Sequence, residues 1–130
     1  MKRLFFAACI LCLAACGGPA IDRPGTLRAL QAALHETVDT PGTRASHNDL
    51  VKKVAENGLL EGMTRDQVRD LIGRGTDCSA SQLCTAQEFE ADDWVYDVGV
   101  EPQSNFGHVP TLVVGFDTLG KVTRTWYRMR

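Results

Sequence analysis

Apolar positions along the chain follow two different periods. Leu27, Leu30, Leu34 and Val38 recur at helical spacing, which predicts a helix over Thr26 to Val38. The turn-rich Asp39-Thr40-Pro41-Gly42 ends it. A second stripe, Leu50, Val51, Val54 and Ala55, predicts a helix opening near Ser46. Asp49 follows Ser46 at capping-box spacing, and Gly58 stands where a helix commonly stops. The third helix is marked at both ends. Thr64 is a natural N-cap with Gln67 at N3, Met63 and Val68 sit at staple positions, and Gly73 closes the stripe Val68, Leu71, Ile72. Downstream the period falls to two. Trp94, Tyr96 and Val98 alternate with Val95, Asp97 and Gly99; Leu112, Val114 and Phe116 alternate with Thr111, Val113 and Gly115. Glu101 to His108 reads as a loop, Asp117 to Gly120 as a hairpin turn, and Val122 to Tyr127 as the return strand. Helices first and antiparallel strands afterwards make an α+β layout: two to three N-terminal helices packed on one face of a three-stranded antiparallel sheet.

Strand alternation also assigns faces. Trp94, Tyr96 and Phe116 are expected to pack against the helices, as core rather than as a binding site. On the return strand, Val122, Arg124 and Trp126 would share one face and Thr123, Thr125 and Tyr127 the other. A half-apolar face of Val95, Val113, Thr123, Thr125 and Tyr127, uncovered by helices, is the expected docking surface for a protein partner.

The first residues belong to neither period. Lys2 and Arg3 precede an uncharged stretch, Leu4 to Ala15, of signal-peptide length. A helix needs roughly 20 apolar residues to span a bilayer, so this stretch is too short for that. Leu13-Ala14-Ala15-Cys16 resembles the bacterial lipobox, in which small residues precede an obligatory cysteine. The resemblance implies a diacylglyceryl thioether on Cys16 and cleavage before it. The alternative is an ordinary secretory cut near Ala8 or Ala14-Ala15. A single acyl chain binds membranes marginally, whereas two or three would anchor the protein stably. The division is therefore a signal segment over 1–15, a lipidated Gly/Pro-containing tether over 16–25, and one domain over 26–130.

The formal charge of −2 becomes more acidic once Lys2 and Arg3 leave, and no basic run occurs, so nucleic acid is not an expected partner. The acidic cluster Glu88, Glu90, Asp92 and Asp93 reads as a solvated loop before a strand. Cys9 and Cys12 leave with the signal and Cys16 is spent on lipid. That leaves Cys78 and Cys84 as a pair in an exported protein, where disulfides persist. Closing so short a loop stabilises the fold by about 2–2.5 kcal/mol on chain-entropy grounds. The competing reading, a metal or catalytic thiol, has neither Cys-x-x-Cys spacing nor a nearby histidine in its favour. His35, His47 and His108 lack partners at ligand spacing, so no metal and no cofactor are expected. A Cys84–His108 nucleophile would need the cysteine that the disulfide uses, and Asp92-Asp93 on a strand would diverge. No catalytic residue and no small-molecule substrate are expected, and the chain reads as a non-enzyme.

Two stretches carry a wider resemblance. One is Gly62-Met63-Thr64-Arg65-Asp66-Gln67-Val68, running to Leu71-Ile72-Gly73. The other is Trp94-Val95-Tyr96, then Leu112 to Phe116-Asp117, Gly120-Lys121-Val122 and Trp126. Over roughly Gly58 to Trp126 these resemble the SmpA/OmlA family, also called BamE, small lipoproteins of outer-membrane β-barrel assembly. Arg74-Gly75 stand where that pattern has a proline. The resemblance implies a non-catalytic scaffold or accessory in envelope and outer-membrane protein assembly. It also implies an outer-membrane location facing the periplasm, a lipid anchor on Cys16 and another envelope protein as partner. Gly17 after the lipidated cysteine, rather than Asp, agrees with outer-membrane export by analogy with enterobacterial lipoproteins. The alternative is a periplasmic inhibitor or ligand-binding lipoprotein with a β-lactamase-inhibitor-like fold, its loops Glu88 to Trp94 or Glu101 to His108 aimed at a hydrolase.

Overall fold

Asp22 caps the first helix. Its carboxylate accepts the Gly25 N–H at 3.0 Å, and Pro24 occupies the first turn of α1 (Arg23–Ala33). The computed structural model describes residues 20–81, 84, 89–102 and 108–129. Residues 23–25 are therefore helix and not tether. The helix also ends earlier than the apolar spacing predicts. After Ala33 the chain extends so that Thr37 bridges Val100, with Val38 N–H donating to the Val100 carbonyl and Val100 N–H to that of Glu36. Val38 is buried, but by this crossing rather than by the helix.

The break at Asp39 to Gly42 is also a beginning. Thr40 accepts the Thr43 N–H at 3.0 Å and Pro41 opens α2 (Pro41–Glu56). Proline suits that place, because the first helical N–H has no partner and φ is already set. Ser46, the expected start, is exposed inside the helix. His47, Val51, Val54 and Ala55 form the buried stripe. In α3 (Arg65–Ile72) both halves of the capping box are made. Thr64 Oγ1 accepts the Gln67 N–H, and Gln67 Oε1 accepts the Thr64 N–H.

Among the described residues the sheet has four antiparallel strands in the order β1 (Thr76–Asp77), β2 (Trp94–Asp97), β3 (Thr111–Phe116), β4 (Val122–Arg128). The fold is α+β, with one short strand more than expected. β1 pairs Thr76 with Val95 and Asp77 with Trp94, directly before a 3-10 turn at Cys78–Ala80. The β3–β4 hairpin turns on Asp117, whose carboxylate accepts the Leu119 and Lys121 N–H groups, each at 2.9 Å. Gly120 there has φ of 75°, a region that favours glycine.

The helices cover one face of the sheet. Leu30, Val51, Val54, Leu60 and Val68 pack with Leu112, Val114, Trp94, Tyr96 and Phe116, as the alternation predicts. Each fully buried side chain of this kind contributes about 1.5–3 kcal/mol of apolar transfer. A β-bulge interrupts β3–β4 pairing: Phe116 opposes Val122 while Gly115 opposes Arg124, leaving Thr123 with no partner in register.

Candidate functional site

The bulge redistributes the expected docking face. Val122 is buried among the helices, whereas Trp126 opposes Val113 and lies on the other side of the sheet. Thr125 and Tyr127 return to the helix side. Thr125 Oγ1 donates to the Ala55 carbonyl at 3.1 Å, and the Tyr127 hydroxyl donates to Glu56 at 3.1 Å. Val95 and Val113 do face away from the helices, but they are buried. The five residues Val95, Val113, Thr123, Thr125 and Tyr127 therefore do not share a face. One extra residue in β4 inverts the side-chain parity beyond it. The isolated Gly115 within a strand pattern was the available signal for such an irregularity.

What covers Val95 and Val113 is a second, smaller apolar cluster. Cys78 and Cys84 are disulfide-bonded with their Cα atoms 5.3 Å apart, and both are buried against the two valines with Phe89 and Trp126. Phe89 meets Trp126 edge-on at 4.7 Å between ring centres. A β-carbon on Gly115 would come within 3.0–3.2 Å of the Trp126 ring, so glycine lets the indole lie close over the strand. The Arg124 guanidinium covers that ring at 4.9 Å.

The acidic cluster divides. Glu88 lies outside the described residues and Glu90 is exposed. Asp92 accepts from Arg65 Nη2 at 3.0 Å, and the Arg65 guanidinium rests 3.9 Å over Phe116 and 5.4 Å from the Trp94 ring centre. Asp93 is fully buried, contrary to the expectation of a solvated loop, and accepts N–H groups of Glu90 at 3.0 Å and Phe116 at 3.4 Å. Both carboxylates thus hold the approach to β2 in place. His47 is also buried, with Nδ1 donating to the Val98 carbonyl at 2.8 Å and Nε2 3.2 Å from Glu36. It ties α2 to the crossing at Val38 and Val100. Exposed His108 lies 3.9 Å from Glu101, and residues 103–107 of that expected loop lie outside the described residues. Tyr96 donates its hydroxyl to the Gly73 carbonyl at 2.7 Å, and burial holds its phenol above the ordinary range despite a backbone hydrogen bond at Gly75.

Among the surface depressions of the described residues, two border the helices. An open cleft of about 650 Å³ lies between the start of α1 and α3, lined by Arg23, Glu61, Met63, Gln67, Asp70 and Leu71. Arg23 Nε is engaged there by the Leu59 carbonyl at 2.8 Å. A smaller groove of about 160 Å³ runs between the end of α2 and β4, lined by Ala55, Glu56, Thr125, Trp126 and Tyr127. Among the described residues no His, Cys, Asp or Glu cluster is placed to hold a metal ion, and no helix is long and apolar enough to cross a membrane. Cys16 lies outside the described residues. No family model matches the chain, and neither a curated protein nor a solved structure matches it.

Proposed function

We propose that this protein is an outer-membrane lipoprotein facing the periplasm, held by lipid on Cys16, and that its α+β domain is a non-catalytic scaffold or accessory in envelope protein assembly. The observation that carries the reading is the order basic Lys2-Arg3, apolar Leu4 to Ala15, then Leu13-Ala14-Ala15-Cys16. The SmpA/OmlA-like stretches from Gly62 to Trp126 add the assembly context. The domain is compatible with close tethering: α1 begins seven residues after Cys16, at most about 25 Å of extended chain. The α1–α3 cleft and the β4 side are the two surfaces of the domain on which such a partner would dock.

The test has two parts. Intact mass of the protein extracted from membranes should show an N-terminal Cys16 carrying acyl chains, and Cys16→Ala should release the domain from the membrane fraction. Mild-detergent extraction should co-purify β-barrel assembly components. An unacylated N-terminus at another position sinks the anchor, and reproducible absence of those components sinks the assembly role.

A further inference from the structure

β4 is an edge strand with a helix beside it. Its seven residues pair with β3 on one side, and among the described residues no strand pairs with the other. Hydrogen-bond parity fixes which backbone groups face that open side. Val98 N–H donates to the Pro110 carbonyl and Phe116 N–H to Asp93, so the even-numbered residues around β3 turn toward β2. The odd-numbered ones, Thr111, Val113 and Gly115, turn toward their β4 partners Arg128, Trp126 and Arg124. The N–H and C=O groups of Thr125 and Tyr127 therefore point to the edge. At the start of the strand the same edge is already in use: Val122 donates to the Met63 carbonyl and accepts the Gly62 N–H. The groove between α2 and β4 opens beyond that point, beside Thr125 and Tyr127.

The side chains around this edge are predominantly basic. Arg124 and Arg128 flank Trp126 on the face away from the helices, by strand alternation. The single carboxylate lining the groove, Glu56, already accepts from Tyr127. Two arginines on this strand, against one carboxylate in the groove that is already engaged, give the edge its basic character.

We infer that the β4 edge receives an extended acidic segment of a partner protein by strand addition, seated between β4 and the end of α2. This names the partner class for the scaffold role proposed above and rests on that role, not on the lipid. Main-chain bonds to Thr125 and Tyr127 supply affinity, and alternate side chains supply selection. Residues facing outward beside Arg124, Trp126 and Arg128 would be carboxylates. Those facing inward would be apolar, to meet Ala55 and Thr125. Cations on an edge strand also discourage pairing of like edges, so a second copy of this chain is the less suitable occupant.

The test uses the full chain in detergent and a synthetic extended peptide alternating Glu with Val, with a Lys–Val peptide as control. Hydrogen exchange across Val122–Met129 should slow with the acidic peptide and not with the basic one. Affinity should fall steeply with salt, and Arg124→Glu with Arg128→Glu should lower it about tenfold or more. The salt dependence of the unaltered chain gives the same reading should the double variant fold poorly. No slowing in this segment, slowing without charge preference, or protection from a concentration-dependent dimer through β4 would each overturn the inference. Should the peptide fail while envelope proteins still co-purify, strand addition falls and the scaffold role stands.

Discussion

On one face of the sheet Trp94, Tyr96, Leu112, Val114 and Phe116 lie under three helices; on the other, Val95 and Val113 lie under a disulfide-closed turn, Phe89 and Trp126. The first covering is assembled from residues distant in sequence and requires the whole domain to fold. The second is small and held by a covalent staple within a short loop. A chain of this size has little apolar surface left after one good core, and a disulfide is an economical way to close a second face. The contrast also locates the boundary of the closed surface. Coverage gives way at Trp126, half-buried, and at Arg124, exposed.

The helix-covered face is the costlier of the two to disturb. Leu112 is fully buried there, so Leu112→Ala should cost about 2–5 kcal/mol, read from urea unfolding. A cost as small as that of a surface change would mean that the helices do not close this face. Removing the staple with Cys78→Ser and Cys84→Ser together should cost about 2–2.5 kcal/mol. It should broaden the side-chain methyl resonances of Val95 and Val113 while leaving those of Val114 and Leu112 sharp. Equal broadening on both faces would show that the two clusters unfold as one.

A smaller effect separates polar from apolar contributions within the first face. Burial raises the Tyr96 phenol above its ordinary value near 10. The neutral form is thus favoured by folding, and its stabilisation is complete below the unfolded value and lost as pH rises toward the folded one. Urea midpoints should therefore fall above about pH 10. Tyr96→Phe, which removes the bond to the Gly73 carbonyl, should cost about 1 kcal/mol at neutral pH and flatten that alkaline decline. An unchanged slope would assign the decline to other groups.

How far the sequence discloses this architecture varies with the range of the forces involved. The start and stop of α3 were legible, because Thr64, Gln67 and Gly73 act within a turn of one another. The start of α2 was displaced, since Thr40-Pro41 serves equally as a break and as a helix opening. The end of α1 was overrun because Val38 keeps the helical spacing while a distant partner, Val100, holds it extended. β1 left no periodic trace: two residues become a strand only by pairing with Val95 and Trp94. The docking face was misassigned by a single bulge at Thr123, which moved Trp126 outward and Thr125 inward. Asp93 looked like one of a solvated acidic run, and only the fold reveals that Phe116 needs its carboxylate.

Site-specific photo-crosslinking in intact envelopes bears most directly on the claim that this domain is held at a membrane to touch a protein there through its β4 side. A crosslinker at position 124 should capture an envelope protein in the membrane fraction. The same group at Leu119, on the exposed hairpin tip, should capture far less. Equal capture at both positions, or capture at Leu119 alone, would contradict the account.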